Sequence, residues 1–192
     1  MVTVQTLPAT PERWDHLVAV FGRRGDDPGW CWCQRFMKTP VVGTTLTDNR
    51  DALRSEVRSA SVPPGVLAYV DGTPAGWARV MPRVAVPLVQ RNRALRRVLD
   101  DDVGVWWITC FAVDRSHRSI GVARALLDAA VAHADHHGAT AIEGHPVDTD
   151  ALESVRVSAS ALFTGTMRTF LACGFHEIGR TYPSRPVMRR DL

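Results

Sequence analysis

The chain has 192 residues, of which 45% are hydrophobic and 22% charged, and a formal net charge of +3. That balance suits a soluble globular chain whose core can serve one domain over residues 1–192, and it excludes a disordered or collagen-like polymer. The charge is too mild to argue for nucleic acid, no apolar run reaches the roughly 18 residues of a membrane span, and the start lacks the basic and apolar stretches of a secretion signal. Four cysteines (Cys31, Cys33, Cys110 and Cys173) are too sparse for a disulfide scaffold and point to a reducing cytoplasm.

Alternation of apolar and polar residues from Val2 to Leu7 predicts a half-buried strand. Thr10 and Pro11 then supply an N-cap and a first-turn proline, and Trp14, Leu17, Val18 and Phe21 fall on one face of a helix that ends near Gly22. The stretch from Arg23 to Thr45, rich in Gly, Pro, Asp and Trp, predicts an irregular loop. Thr47 can cap a second helix reaching about Ser59. Gly65 to Val70 and Pro74 to Val80 read as strands joined by Asp71 and Gly72, a strong hairpin signal. Leu88 to Leu99, carrying Arg91, Arg93, Arg96 and Arg97, predicts a helix.

The apolar run Val105 to Val113 predicts a strand that feeds a basic loop and then an alanine-rich helix from Val122 to about His137. A further strand covers Ala139 to Glu143. Val147 to Gly165 shows no clear periodicity. Thr166 to Cys173 predicts a short helix closed by Gly174, and two closing strands cover Phe175 to Tyr182 and Arg185 to Arg190. The fold class is therefore α/β, with a mixed, largely antiparallel sheet.

The loop Arg118, Ser119, Ile120, Gly121, Val122, Ala123 carries the strongest chemical signal. It opens a helix, where backbone N–H groups lack intrahelical partners, so it is a natural seat for phosphate. Gly121 and Ala123 remove bulk at the point of approach and Arg118 adds charge. Neither of the two common nucleotide motifs, G-x-x-x-x-G-K-[ST] and G-x-G-x-x-G, is present.

This run resembles the acyl-CoA pyrophosphate loop of the GCN5-related N-acetyltransferase (GNAT) family, written Arg/Gln-x-x-Gly-x-Gly/Ala, with Arg118, Gly121 and Ala123 in register. The later Phe170 to Phe175 segment is similar to that family's helix ending in Gly-Phe. The resemblance implies an acyl-CoA N-acyltransferase fold with a splayed central sheet. Acetyl-CoA would lie in the splay, its pantetheine arm against Phe111, Ala112 and Val113 and beside Phe170, its pyrophosphate on residues 118–123. The implied reaction is direct attack by a primary amine, of a small molecule or a peptide, on the thioester in a ternary complex. The alternative is a non-catalytic acyl-CoA sensor of the same fold. Two departures stand out: Arg115 replaces the usual proline, and Phe170 replaces the tyrosine that protonates the leaving thiolate.

An alkyl amine with a pKa near ~10 is almost wholly protonated at neutral pH, so a general base is valuable, by ~10²- to 10⁴-fold. Candidates on or after the second strand of the cleft are Glu143, His145 and Asp148. Glu143 has two readings, an ion pair with one of the arginines or a proton relay from the acceptor. His145, between Gly144 and Pro146, sits at a bend that can aim it into a cleft. By the family's order, Trp30 and Trp32 lie toward the acceptor and could wall a pocket for a cationic amine, or else pack over the core. No metal is expected: Cys31 and Cys33 are too closely spaced for zinc, and His133 and His137 lack a third ligand. The closing strands could pair across a homodimer.

Overall fold

The computed structural model describes residues 3–22, 31–37, 49–152 and 161–192. Its strands are β1 (Val4–Pro8), β2 (Gly65–Val70), β3 (Thr73–Pro82), β4 (Val105–Val113), β5 (Ala141–Gly144), β6 (His176–Tyr182) and β7 (Arg185–Asp191). They form one seven-stranded sheet in the order β1-β2-β3-β4-β5-β7-β6, antiparallel throughout except for the β4–β5 pair. The β2–β3 turn is the predicted hairpin, with Asp71 and Gly72 both at positive φ (47° and 82°) as a tight two-residue turn requires.

Side-chain alternation sorts the two faces of the sheet. On β2, Val66, Ala68 and Val70 pack on one side with Ala78, Val80, Ile108 and Ile142. Helix α4 (Val122–His136) covers that side with Val122, Leu126, Leu127, Ala130, Val131 and Ala134. Leu67 and Tyr69 face the other way, with Trp77 and Cys110, under helices α1 (Trp14–Phe21) and α2 (Asn49–Ser59). Each large side chain among these contributes a few kcal/mol through burial, about 2–5 kcal/mol for a leucine truncated to alanine.

The predicted helix Leu88 to Leu99 breaks in two. Helix α3 (Pro87–Arg91) stops at Asn92, whose backbone is extended (φ −74°, ψ 110°). The Asn92 side-chain oxygen accepts from the backbone N–H of Ala94 and Leu95, at 2.9 and 3.2 Å, an Asx-type competition with helix continuation. A 3₁₀ turn, Leu95–Arg97, follows. Helix α5 (Met167–Ala172) falls within the predicted Thr166 to Cys173, and the Thr166 hydroxyl caps it. Thr47 and most of the loop from Arg23 to Thr45 lie outside the described residues.

Candidate active site

The site is set by where β4 and β5 part. Their parallel pairing runs from Val105 with Ala141 to Ile108 with Gly144, and β4 then continues alone to Val113. The register on the β3 side slips at the same place: Arg79 faces Cys110 and Val80 faces Ile108, which leaves Thr109 as the extra residue of a β-bulge. The Thr109 hydroxyl is buried and has no hydrogen-bond partner among the described residues.

Past Val113 the chain turns through Arg115–His117, where the Asp114 carboxylate accepts from the Ser116 N–H at 2.9 Å. This cap stands where the resemblance leads one to look for proline. The loop then carries left-handed backbone at Ser119 (φ 64°) and at Gly121 (φ 94°), the N-cap of α4. A side chain at Gly121 would be strained by that φ, although space around it is open. Among the described residues no acceptor takes the N–H groups of Arg118, Ser119, Ile120, Gly121, Val122 or Ala123. Left-handed turns at a helix start converge such N–H groups into an anion-binding concavity. The Arg118 side chain folds back, its Nε donating to the Val113 carbonyl at 3.3 Å. The Val122 side chain is buried and packs against Gly76.

The widening gap is bridged by the chain itself. The Phe111 N–H donates to the Phe163 carbonyl at 2.6 Å, and Val147 forms a bridge with Thr166, its N–H donating to Gly165 O at 3.0 Å. Residues 163–166 therefore lie where the resemblance puts the pantetheine arm. Phe170 is fully buried, edge-on to Phe111 (6.2 Å) and to Phe175 (4.9 Å). A Cβ at Gly144 would come within 2.6 Å of its ring, so the glycine ending β5 admits Phe170 against the strand.

Glu143 is 0% exposed, and both its oxygens are taken. Arg83 donates to Oε2 at 2.7 Å and Arg189 to Oε1 at 3.1 Å. Arg83 also binds Asp100 Oδ1 (2.9 Å) and the carbonyls of Asp100 and Asp102, and Arg189 binds Asp100 Oδ2 (2.8 Å) and Asp191 (2.8 Å). Burial pushes the carboxyl upward, while the two guanidiniums oppose that shift. The geometry favours the ion-pair reading, with each Glu143 oxygen accepting from a guanidinium. Asp148 is likewise engaged, by Arg180 at 2.8 Å.

His145 is placed beyond the parting of the strands. Its Nε2 pairs with Thr181 Oγ1 at 2.7 Å, and Thr181 in turn donates to the Arg185 carbonyl at 3.4 Å. That chain fixes the proton on Nε2 and leaves Nδ1 as the acceptor, with an Arg185 N–H at a loose 3.5 Å. Burial first, and then the Arg185 charge, pull the ring down to about 4, so the imidazole is neutral at ordinary pH. The other arm of Arg185 donates to Thr164 Oγ1 at 3.2 Å, tying His145 to the bridging segment.

Trp32 corrects an expectation. It is 0% exposed, stacked with Trp14 (6.0 Å) and tilted against Phe21 (4.7 Å), with the Arg50 guanidinium over its ring. A ring enclosed on these sides belongs to the core and walls no acceptor pocket. Trp30 lies outside the described residues.

A profile of the acetyltransferase (GNAT) family matches residues 29–157, two thirds of the chain. The chain belongs to the GNAT acetyltransferase family. No curated protein matches the sequence. Solved structures show the same fold at low identity. The GNAT domain of S. lividans PAT is 14% identical, with a TM-score of 0.57 over 98% of this chain and 90% of that one. A GCN5-related N-acetyltransferase from Kribbella flavida is 20% identical, with a TM-score of 0.54 over 98% of each chain. The aminoglycoside acetyltransferase AAC(6')-Ib, in complex with coenzyme A, is 15% identical, with a TM-score of 0.54 over 100% of this chain and 95% of that one. The mixed seven-stranded sheet flanked by helices is thus the acyl-CoA N-acyltransferase fold.

In this GNAT chain, sequence reasoning did not reach Arg83, Arg189, Thr109, Phe163 or Thr181. The ion-pair partners are 60 and 46 residues from Glu143, and nothing local marks them. Gly144 was the one available signal, a glycine inside a strand that implies close approach of another group. Among the described residues no group of three or more His, Cys, Asp or Glu could hold a metal ion, and no helix is long and apolar enough to cross a membrane.

Proposed function

We propose that residues 1–192 work as one unit that moves an acetyl group from acetyl-CoA to a primary amine of a small molecule or peptide, by direct attack in a ternary complex. The run of unpartnered amides from Arg118 to Ala123 carries this reading. A diphosphate needs several donors and positive potential at close range, and a left-handed loop opening a fifteen-residue helix offers both. Acetyl-CoA supplies an activated thioester carbonyl and a thiolate leaving group. A thiol with a pKa near ~8.5 leaves as its anion largely unaided, which fits the absence of a hydroxyl at Phe170.

Within that reading, the edge of β4 at Phe111, Ala112 and Val113 receives the pantetheine arm once residues 163–166 move aside. Phe170 forms the apolar wall beneath it. The freed Phe111 N–H and the Thr109 hydroxyl, both at the parting of the strands, then face the thioester. His145 Nδ1 takes the proton of the attacking amine, directly or through water, with Thr181 holding the tautomer. Glu143 holds β5 against β7 and the Arg83 turn.

The non-catalytic alternative draws on one observation, the Phe163 carbonyl already seated on the Phe111 N–H. Titration with acetyl-CoA followed by a free-CoA release assay over a panel of amines separates the two. The transferase reading expects binding and amine-dependent CoA release. Binding without release from any amine supports the sensor, and no binding overturns both.

A further inference from the structure

Arg79, Arg83 and Arg189 reach into the fold, and each holds a carboxylate. Arg79 pairs with Glu56, Arg83 with Glu143 and Asp100, and Arg189 with Glu143, Asp100 and Asp191. Arg185, the half-buried first residue of β7, differs from them. Among the described residues it enters no ion pair. One arm donates to the Thr164 hydroxyl at 3.2 Å, and the other stands 3.5 Å from His145 Nδ1. Asp148, whose N–H donates to the Ser184 carbonyl at 3.0 Å, gives its carboxylate to Arg180 at 2.8 Å instead. Withdrawing a guanidinium from water without a counter-charge costs free energy, yet the fold retains one here.

A second cation is brought to the same segment. Exposed Arg35 lies 5.1 Å over the ring of Phe163, the residue before the Thr164 that Arg185 holds. It too enters no ion pair among the described residues. Consecutive residues 163 and 164 therefore carry one guanidinium each, an arrangement that an anion between them would relieve. Burial first, and then the Arg35 charge, lower the Arg185 pKa, the direction expected of a cation without a counter-ion.

The place of Arg185 beside His145 gives such an anion a role. In the acyl-transfer reading, His145 Nδ1 receives the proton of the attacking amine. An amine at Nδ1 and an anion on the Arg185 arm are neighbours, close enough to belong to one small molecule. A carboxylate is planar and accepts only, which suits a guanidinium fork. When residues 163–166 move aside for the pantetheine arm, Arg185 loses the Thr164 hydroxyl, and a carboxylate oxygen replaces it.

We propose that Arg185, aided at longer range by Arg35, seats a carboxylate of the acceptor, and that the acceptor is a free amino acid or a similarly short amino carboxylate. The inference rests on the acyl-transfer reading, because it takes His145 as the group that accepts the amine proton. Two guanidiniums disfavour polyamines and aminoglycosides, and a peptide N-terminus offers a neutral amide where the carboxylate is needed. In the reaction, the neutral amine nitrogen bonds to the acetyl carbon and the C–S bond breaks. The CoA thiolate leaves with the electron pair, and the amine proton passes to His145 and then to solvent or the thiolate. The carboxylate is unchanged, and the products are an N-acetyl amino acid and CoA.

Two assays on the full chain test the seat. Free-CoA release is measured with α-amino acids and β-alanine, and with the carboxamide and the decarboxylated amine of each. The carboxylate acceptor is expected to exceed its carboxamide in kcat/KM by about 10²-fold. Arg185→Gln raises KM for the carboxylate by about 10²-fold and brings the two acceptors within about two-fold of each other, with acetyl-CoA affinity held; Arg185→Lys recovers part of the loss. Arg35→Gln, an exposed change, raises the same KM by about three-fold, and added salt erases that difference. Calorimetry in the presence of CoA needs no turnover: N-acetyl amino acids bind the wild type, their N-acetyl carboxamides do not, and Arg185→Gln removes the distinction. Carboxamides, spermidine or kanamycin used as well as carboxylates overturn the proposal and leave acetyl transfer standing. A carboxylate preference that survives Arg185→Gln, or phosphoethanolamine favoured over every amino carboxylate, overturns it as well. If no amine releases CoA, the transfer reading fails; N-acetyl amino acid binding that depends on Arg185 then upholds the carboxylate seat, and its absence overturns the seat too.

Discussion

The two ends of the β4–β5 pair are built on opposite terms. From Val105 to Ile108 the strands are hydrogen-bonded together, and the charged side chains beside them are saturated: Glu143, Arg83, Arg189 and Asp100 all have partners. From Thr109 to Ala123 the situation reverses. There the groups without partners are backbone amides of the loop and a buried hydroxyl, while the side chains are ordinary. The sequence drew attention to a carboxylate in a strand as a candidate base, yet that carboxylate is paired with two arginines, and the uncommitted donors lie on the backbone of the loop. A buried charge that is fully paired specifies the fold, and unpaired donors around open space invite a ligand.

The largest expected effect comes from breaking the open end. Gly121→Glu forces a side chain into φ 94° and places negative charge at the phosphate seat, so acetyl-CoA binding falls below detection by calorimetry while the far-UV spectrum holds. Next, the two former rivals for general base are expected to separate. His145→Gln lowers kcat by about 10²-fold with little change in acetyl-CoA affinity, whereas Glu143→Gln changes kcat by no more than about two-fold. A large kcat loss for Glu143→Gln with unchanged melting temperature would reverse the assignment.

The paired end answers to stability measurements. Arg83→Met removes one partner of a fully buried carboxylate and is expected to cost about 3–5 kcal/mol in urea unfolding. A smaller effect is tied to pH. The folded His145 titrates at about 4 and its unfolded counterpart at the ordinary 6.5, so between those values the unfolded chain binds more protons. Stability is therefore intact above about pH 6.5 and declines as pH falls toward 4, by on the order of 3 kcal/mol at the low end. His145→Gln flattens that acid limb, and an unchanged limb would place the titration elsewhere.

How far the sequence disclosed these features follows from the range of each interaction. Strand β4 was legible to the residue, because Val105 to Val113 is apolar except for Thr109 and is bounded by Gly104 and Asp114. The Asp71-Gly72 turn, the short helix after Thr166 and the start of α4 were legible for the same reason: each is decided by neighbours a few positions away. Asn92 broke a helix that periodicity alone predicted, since its side chain competes locally for backbone N–H groups. The site was legible only in its loop. Arg83 reaching Glu143 and Phe163 covering Phe111 are pairings across the fold, and neither spacing nor composition encodes them.

Hydrogen exchange on the wild-type chain, with and without acetyl-CoA, reads the decisive amides directly. Protection is expected to rise across Arg118 to Ala123 on ligand addition, as free N–H groups gain phosphate oxygens, with a smaller change at Phe111 as one carbonyl replaces another. Unchanged exchange from residue 118 to 123 in the presence of saturating acetyl-CoA would contradict the account.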